Sequence, residues 1–126
     1  MNAVLVDTSV WVDHFKRRNE ALVDLLERDV VLIHPWVMGE LACGTPPRRT
    51  ETLADLSCLR HAQQASTGEV MAFLEREKLY GLGCGWFDVH LLAATCLTQG
   101  AVLWTLDQML DALAQRFGRS YRSLTH

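Results

Sequence analysis

Two hydrophobic rhythms alternate along this chain. Residues 3–6, 30–33 and 101–104 are short apolar runs rich in Val, Leu and Ile, each bounded by polar or turn residues, and they predict buried strands. Between them apolar residues recur at helical spacing. Val10 to Phe15 fits a short helix, and Asn19 is placed to cap a second with Leu22, Val23, Leu25 and Leu26 as its stripe. Pro35 opens a third helix that runs to Cys43 and ends at Gly44, with Pro46 and Pro47 beyond. Residues 48–56 read as a further helix and 59–62 as a strand with a weak run. Ser66-Thr67-Gly68-Glu69 is a capping box for a helix to about Tyr80. After the glycine-rich loop 81–85, a helix spans 86–99 and is closed by Gly100. A helix from Asp107 to about Phe117 and a short strand near 121–124 end the chain. Strands alternating with helices predict an α/β fold: a mostly parallel sheet covered on both faces, in one domain spanning 1–126.

Composition agrees with this picture. The chain has 126 residues, 49% of them apolar and 21% charged, which is globular rather than disordered. No apolar stretch approaches the ~18 residues of a membrane span. The opening Met1-Asn2-Ala3-Val4-Leu5-Val6-Asp7 lacks a basic segment and reaches a carboxylate too soon for a secretory signal, so a soluble cytoplasmic protein with no membrane partner is expected. Cys43, Cys58, Cys84 and Cys96 form no C-x-x-C pair and suit reduced thiols. The net charge of −3 neither supports nor excludes a nucleic-acid partner. It hides basic spots at Lys16-Arg17-Arg18, at Arg48-Arg49, and at Arg116, Arg119 and Arg122, where phosphates could be met or the chain simply solvated.

Four of the fifteen acidic residues stand where an ordinary solvated surface does not account for them. Asp7 follows the first strand at its carboxyl end, the edge at which open α/β sheets bind ligands; capping the next helix is an equal alternative. Glu40 lies among Trp36, Val37, Met38, Gly39, Leu41, Ala42 and Cys43, a segment apolar on nearly every side, so its charge needs a metal or an arginine. Asp88 opens an equally apolar helix, where the helix dipole is the plainer explanation. Asp107 follows the 101–104 strand as Asp7 follows the first, again with a helix cap as the alternative. Asp111, one turn on, is a fifth carboxylate or surface. Such a set repels itself unless a cation intervenes. Oxygen donors without a His/Cys set point to Mg²⁺ or Mn²⁺, ions that support phosphodiester cleavage.

Four segments carry a resemblance over essentially the whole chain. Val4-Leu5-Val6-Asp7-Thr8-Ser9-Val10-Trp11, Met38-Gly39-Glu40-Leu41, Gly85-Trp86-Phe87-Asp88-Val89-His90-Leu91-Leu92-Ala93-Ala94 and Leu103-Trp104-Thr105-Leu106-Asp107 resemble, in order, the PIN-domain ribonucleases, and more narrowly the VapC-type toxins of toxin–antitoxin pairs. The resemblance implies an α/β/α sandwich and a Mg²⁺- or Mn²⁺-dependent endoribonuclease acting on RNA. It places the acidic quartet on Asp7, Glu40, Asp88 and Asp107, with Asp7 and Asp88 as central metal ligands and Thr105 beside the last acid. It also implies a homodimer and a VapB-like antitoxin as partner.

Other readings fit less well. A phosphoacceptor domain needs a lysine near its acids, and Lys16 and Lys78 are not so placed. A phosphatase with an aspartyl nucleophile wants a second Asp two residues after the first, where Ser9 stands. A non-catalytic PIN-like module that binds RNA or protein is the stronger alternative; it predicts loss of quartet acids, and all four are present. Gly81-x-Gly83-x-Gly85 precedes a helix rather than following a strand, so it is a loop and not a dinucleotide fingerprint. His90 lies two residues from Asp88, on another helical face, and is expected to pack rather than ligate. Trp11, Phe15 and Trp36 suit the core, or a surface that meets an antitoxin or second protomer.

Overall fold

The computed structural model describes residues 3–122. Four strands, β1 (Ala3–Val6), β2 (Val31–Ile33), β3 (Arg60–His61) and β4 (Ala101–Trp104), form one sheet in the order β3-β2-β1-β4, all parallel. Seven helices intervene: α1 (Thr8–Lys16), α2 (Glu20–Glu27), α3 (Pro35–Cys43), α4 (Arg49–Ser57), α5 (Thr67–Arg76), α6 (Trp86–Leu97) and α7 (Gln108–Arg116). Every side chain of β1 and β2 is buried. Successive side chains of a strand point to opposite faces, so both faces of the sheet are covered, as in a three-layer α/β/α sandwich. Each fully buried Val or Leu here contributes about 1.5–3 kcal/mol.

β1 is the axis. It pairs with β2 through Val4↔Val31 and Leu5↔Leu32, and with β4 through Ala3↔Ala101 to Val6↔Trp104. The chain builds outward from β1 to β2 and β3, then returns on the other side of β1 as β4. The two directions part between β1 and β4, the topological switch point at which such sheets open a crevice beyond their carboxyl ends.

α6 is the most enclosed helix: Val89 to Thr95 are all buried, with contacts to β4, α5 and α7. Its near-continuous apolar sequence anticipates this. Asn19 and Ser66 cap α2 and α5 as their sequence positions predict; the Ser66–Glu69 box is reciprocal, each side chain bonding the other's backbone N–H. Several boundaries move. α1 starts at Thr8, directly after Asp7, two residues before the apolar pattern begins. α5 ends at Arg76 rather than near Tyr80, because Lys78 turns left-handed with φ 55°. β3 shrinks to two exposed residues held by pairing with β2. The strand expected near 121–124 is a single parallel bridge from Leu103 to Ser120; residues 123 and 124 lie outside the described residues. In the loop before α6, Gly81 and Gly83 take φ +72° and +83°, values that other residues adopt only with strain.

Among the described residues no helix is long and apolar enough to cross a membrane. All four cysteines are free, with Cys43 and Cys58 exposed and Cys84 and Cys96 half-buried.

Candidate active site

At the switch point between the carboxyl ends of β1 and β4, where such sheets open a crevice, side chains from both strand exits hydrogen-bond one another. Asp7, only 6% exposed, follows β1, and its backbone N–H bonds Trp104 O at 2.9 Å, so the two exits are locked together. Two hydroxyls donate to its Oδ2: Thr105 Oγ1 at 2.7 Å and Ser9 Oγ at 2.8 Å. The two hydroxyls fix the direction in which Asp7 presents its carboxyl group, leaving Oδ1 without a hydrogen bond among the described residues. Although Asp7 stands at the N-cap of α1, its side chain makes no capping bond. The helix-cap alternative thus fails, and the carboxylate faces the crevice network.

Thr105 and Ser9 extend that network. Thr105 Oγ1 accepts from Asp107 N at 3.0 Å, Ser9 Oγ accepts from Leu106 N at 3.0 Å, and the two hydroxyls lie 3.4 Å apart. Asp107 caps α7: its Oδ1 accepts from Met109 N at 2.9 Å and Leu110 N at 3.0 Å. Capping and facing the crevice are compatible here, because both caps use one oxygen.

Glu40 is exposed, which corrects the expectation of a charge embedded in an apolar helix. α3 buries only Val37 and Leu41. An apolar sequence does not say which face the core takes, and Glu40 falls outside it. Glu40 is nevertheless tied to the crevice, since Thr8, next to Asp7, donates to its Oε1 at 2.6 Å. For Asp7, Glu40 and Asp107, the hydrogen bonds among the described residues all end on one oxygen.

Asp88, in the first turn of α6, is half-buried. Burial, then the negative charges of Asp7 and of Asp107, push its carboxyl above the usual carboxylate range, while Gly85 N–H and the Cys84 thiol oppose this only in part. Asp7 and Asp107 thus both bear electrostatically on Asp88. Cys84 Sγ lies 3.9 Å from Asp88 Oδ2, and its thiol is pushed up to about 11 by burial and by the charges of Asp88 and Asp107. It stays protonated at neutral pH, a donor toward Asp88 rather than a nucleophile.

The donor set suits a hard divalent cation: carboxylate oxygens from β1, α3, α6 and the β4–α7 turn, oriented by hydroxyls and backbone N–H groups. Among the described residues, however, no three His, Cys, Asp or Glu side chains stand close enough to enclose an ion as placed.

The remaining candidates have intramolecular partners. Asp111 accepts from Ser120 Oγ at 2.6 Å on Oδ1, and from Gln115 Nε2 at 2.8 Å and Arg122 Nη1 at 3.3 Å on Oδ2. Burial acts to raise its carboxyl, but these bonds and the Arg122 charge outweigh it and leave it low. It fastens the C-terminal segment. Arg116 Nη2 donates to Glu77 O at 2.7 Å, and Arg119 Nη1 to Ala101 O at 3.1 Å, at the far end of β4 from the crevice. His90 is buried with Nε2 unpartnered, packed between Trp36 and Trp86.

Thr8 and Ser9 join the site through Glu40 and Asp7; in the sequence they are marked only by their place directly after a strand-end Asp, within the first segment of the family resemblance. His34 is buried at 2% exposure, and its Nδ1 accepts from Trp36 N at 3.1 Å to cap α3.

Residues 4–115 match the PIN domain family. Two relatives bearing the name Ribonuclease VapC32, from Mycobacterium tuberculosis strains CDC 1551 / Oshkosh and ATCC 25618 / H37Rv, are each 38% identical over 115 residues, covering 91% of this chain and 93% of the relative.

Proposed function

This chain belongs to the PIN-domain family, among its VapC-type members, and from that premise we propose that it is a metal-dependent endoribonuclease, the toxin of a toxin–antitoxin pair. Asp7, Glu40, Asp88 and Asp107 are its acidic quartet, and Mg²⁺ or Mn²⁺ its cofactor. The observation that carries the reading is the junction of the two strand exits, where Thr105 Oγ1 donates to Asp7 Oδ2 and accepts from Asp107 N, with Asp88 near enough for both charges to raise its carboxyl. Acids that repel one another at a switch-point crevice gain from a cation that draws them together.

In this mechanism Asp7 and Asp88 present oxygens to the ion, Asp7 fixed through Oδ2 by Thr105 and Ser9 so that Oδ1 stays available. Glu40, steadied by Thr8, and Asp107, whose Oδ2 is left over from capping α7, complete the pocket and orient the attacking water. A divalent ion bound there would supply a water of lowered pKa and charge neutralisation at the leaving oxygen. RNA is the substrate, a homodimer the working form, and a VapB-like antitoxin the inhibitor, as the VapC-type relatives' kinship suggests.

The test is cleavage of RNA by the purified protein with Mg²⁺ or Mn²⁺, beside Asp7→Asn and Asp88→Asn. Cleavage is expected to fall at least a hundredfold in each variant and to stop in EDTA. Folded variants that cut like the parent would refute the quartet, and cleavage that survives EDTA would remove the metal.

A further inference from the structure

Between α1 and α3 lies a groove of about 380 Å³. Val12, Phe15 and Lys16 line it from α1, Glu40 and Leu41 from α3, and residues 44–47 from the turn beyond. Glu40 ties the groove to the quartet, because Thr8, the first residue of α1, donates to its Oε1 at 2.6 Å. Lys16 is the last residue of the same helix, about 12 Å further along its axis. An acid and a cation thus stand apart along a groove whose walls between them are mostly apolar.

Most basic side chains are already engaged. Arg17, Arg18, Arg28, Arg48, Arg76 and Arg122 are in ion pairs with neighbouring acids. Arg49, Arg116 and Arg119 donate to backbone carbonyls. Lys16, Arg60 and Lys78 have neither kind of partner among the described residues, and of these three Lys16 is the one that shares this groove with Glu40. The basic run 16–18 is therefore divided: its arginines turn to Asp13 and Glu20, and its lysine stays exposed. With a divalent ion on the acids, the groove has a positive pole toward each end and apolar walls between. A nucleic-acid strand matches that alternation, since its phosphates are charged and its bases present apolar faces. Cations meeting phosphates supply much of the affinity for such a strand.

We propose that Lys16 binds a phosphate of the RNA strand that flanks the cleaved one, so that the strand leaves the quartet along the groove between α1 and α3. This rests on the ribonuclease reading above, and the two can fail separately. The probe is a short single-stranded oligoribonucleotide with a fluorescent end. Lys16→Met keeps the stem against the groove and removes the charge. In the Asp7→Asn background with EDTA, it is expected to weaken binding about fivefold and to lower the slope of log Kd against log[KCl] by about 0.7, the share of one phosphate contact. Lys16→Arg keeps the charge and is expected to restore the slope. With Mg²⁺ and Asp7 in place, Lys16→Met is expected to raise KM about fivefold and to leave kcat within about twofold. Lys78→Met removes an equal charge outside the groove and is expected to leave the slope as it was. A slope lowered equally by both would reflect net charge alone and overturn the contact. A fall in kcat with KM unchanged would put Lys16 to use on Glu40 and overturn it as well. A dimer lost in sedimentation of Lys16→Met, with the slope unchanged, would make the groove a contact between protomers, again against the proposal. A chain whose binding slope depends on Lys16 but that does not cut keeps the contact and sinks the nuclease. A parent that cuts RNA with KM unchanged in Lys16→Met sinks the contact alone, and one that neither binds nor cuts sinks both.

Discussion

At the scale of single residues, Thr105 is the hinge of the site. Its one hydroxyl donates to Asp7 and accepts from Asp107 N, so it sets the position of two acids at once. Replacing it with Val keeps the shape and removes both bonds, leaving Asp7 with Ser9 alone and a backbone N–H unpaired. Groups that orient a metal's ligands are worth about 10–100-fold in activity. Thr105→Val is therefore expected to lose activity in that range with its fold retained by circular dichroism, and Thr105→Ser to recover most of it. If Val and Ser variants cut alike, the hydroxyl does not position the site. The opposite lesson comes from Asp111, whose two oxygens are filled by Ser120, Gln115 and Arg122; spacing alone put it beside Asp107, and hydrogen bonding draws it to the C-terminal segment.

At the scale of elements, α3 hangs on the His34 cap. Burial, and then the neighbouring His90, push the His34 imidazole down to about 4. Its Nδ1 can accept from Trp36 N only when unprotonated. Between the ordinary value of 6.5 and about 4, the unfolded chain binds a proton that the fold refuses. The stabilisation is present above that window and is lost as pH falls through it, by about 2 kcal/mol once solvent screening is allowed for. Urea titrations at stepped pH would show the slope. His34→Asn, which keeps a capping oxygen and does not titrate, is expected to flatten it, with a remainder left by His90 and His14, which burial shifts the same way.

The same scale shows what was readable beforehand. β1, β4 and α6 could be placed because apolar runs of strand and helix length leave few alternatives, and Asp7 and Asp107 could be located from the strand exits. β3 could not be bounded, because pairing with β2 rather than its own apolar content holds Arg60 and His61. Glu40 is exposed although its helix is apolar in composition, because only tertiary packing decides that Val37 and Leu41 face inward. Thr8 and Ser9 stayed hidden because hydroxyls are common at helix starts, and their partners Glu40 and Thr105 lie far along the chain.

At the scale of the whole molecule, the site opposes the fold that carries it. Asp88 is raised by burial and by Asp7 and Asp107, so keeping it ionised costs stability, and the cost grows as pH rises from the unfolded to the folded value. Asp88→Asn removes the charge. In EDTA that variant is expected to melt above the parent, and saturating Mg²⁺ to raise the parent's Tm and leave the variant's nearly unmoved. A variant that melts below the parent in EDTA would mean that the acids are not in tension.

The Asp7–Thr105 hydrogen bond joins residues 98 positions apart and forms only once β4 has docked against β1. Translation adds about 5–20 residues per second. Until Thr105 has been made and β4 has docked, then, the chain carries Asp7 with Ser9 alone to hold it. In this order the acid made first is aimed late, when the exit of β4 joins the exit of β1.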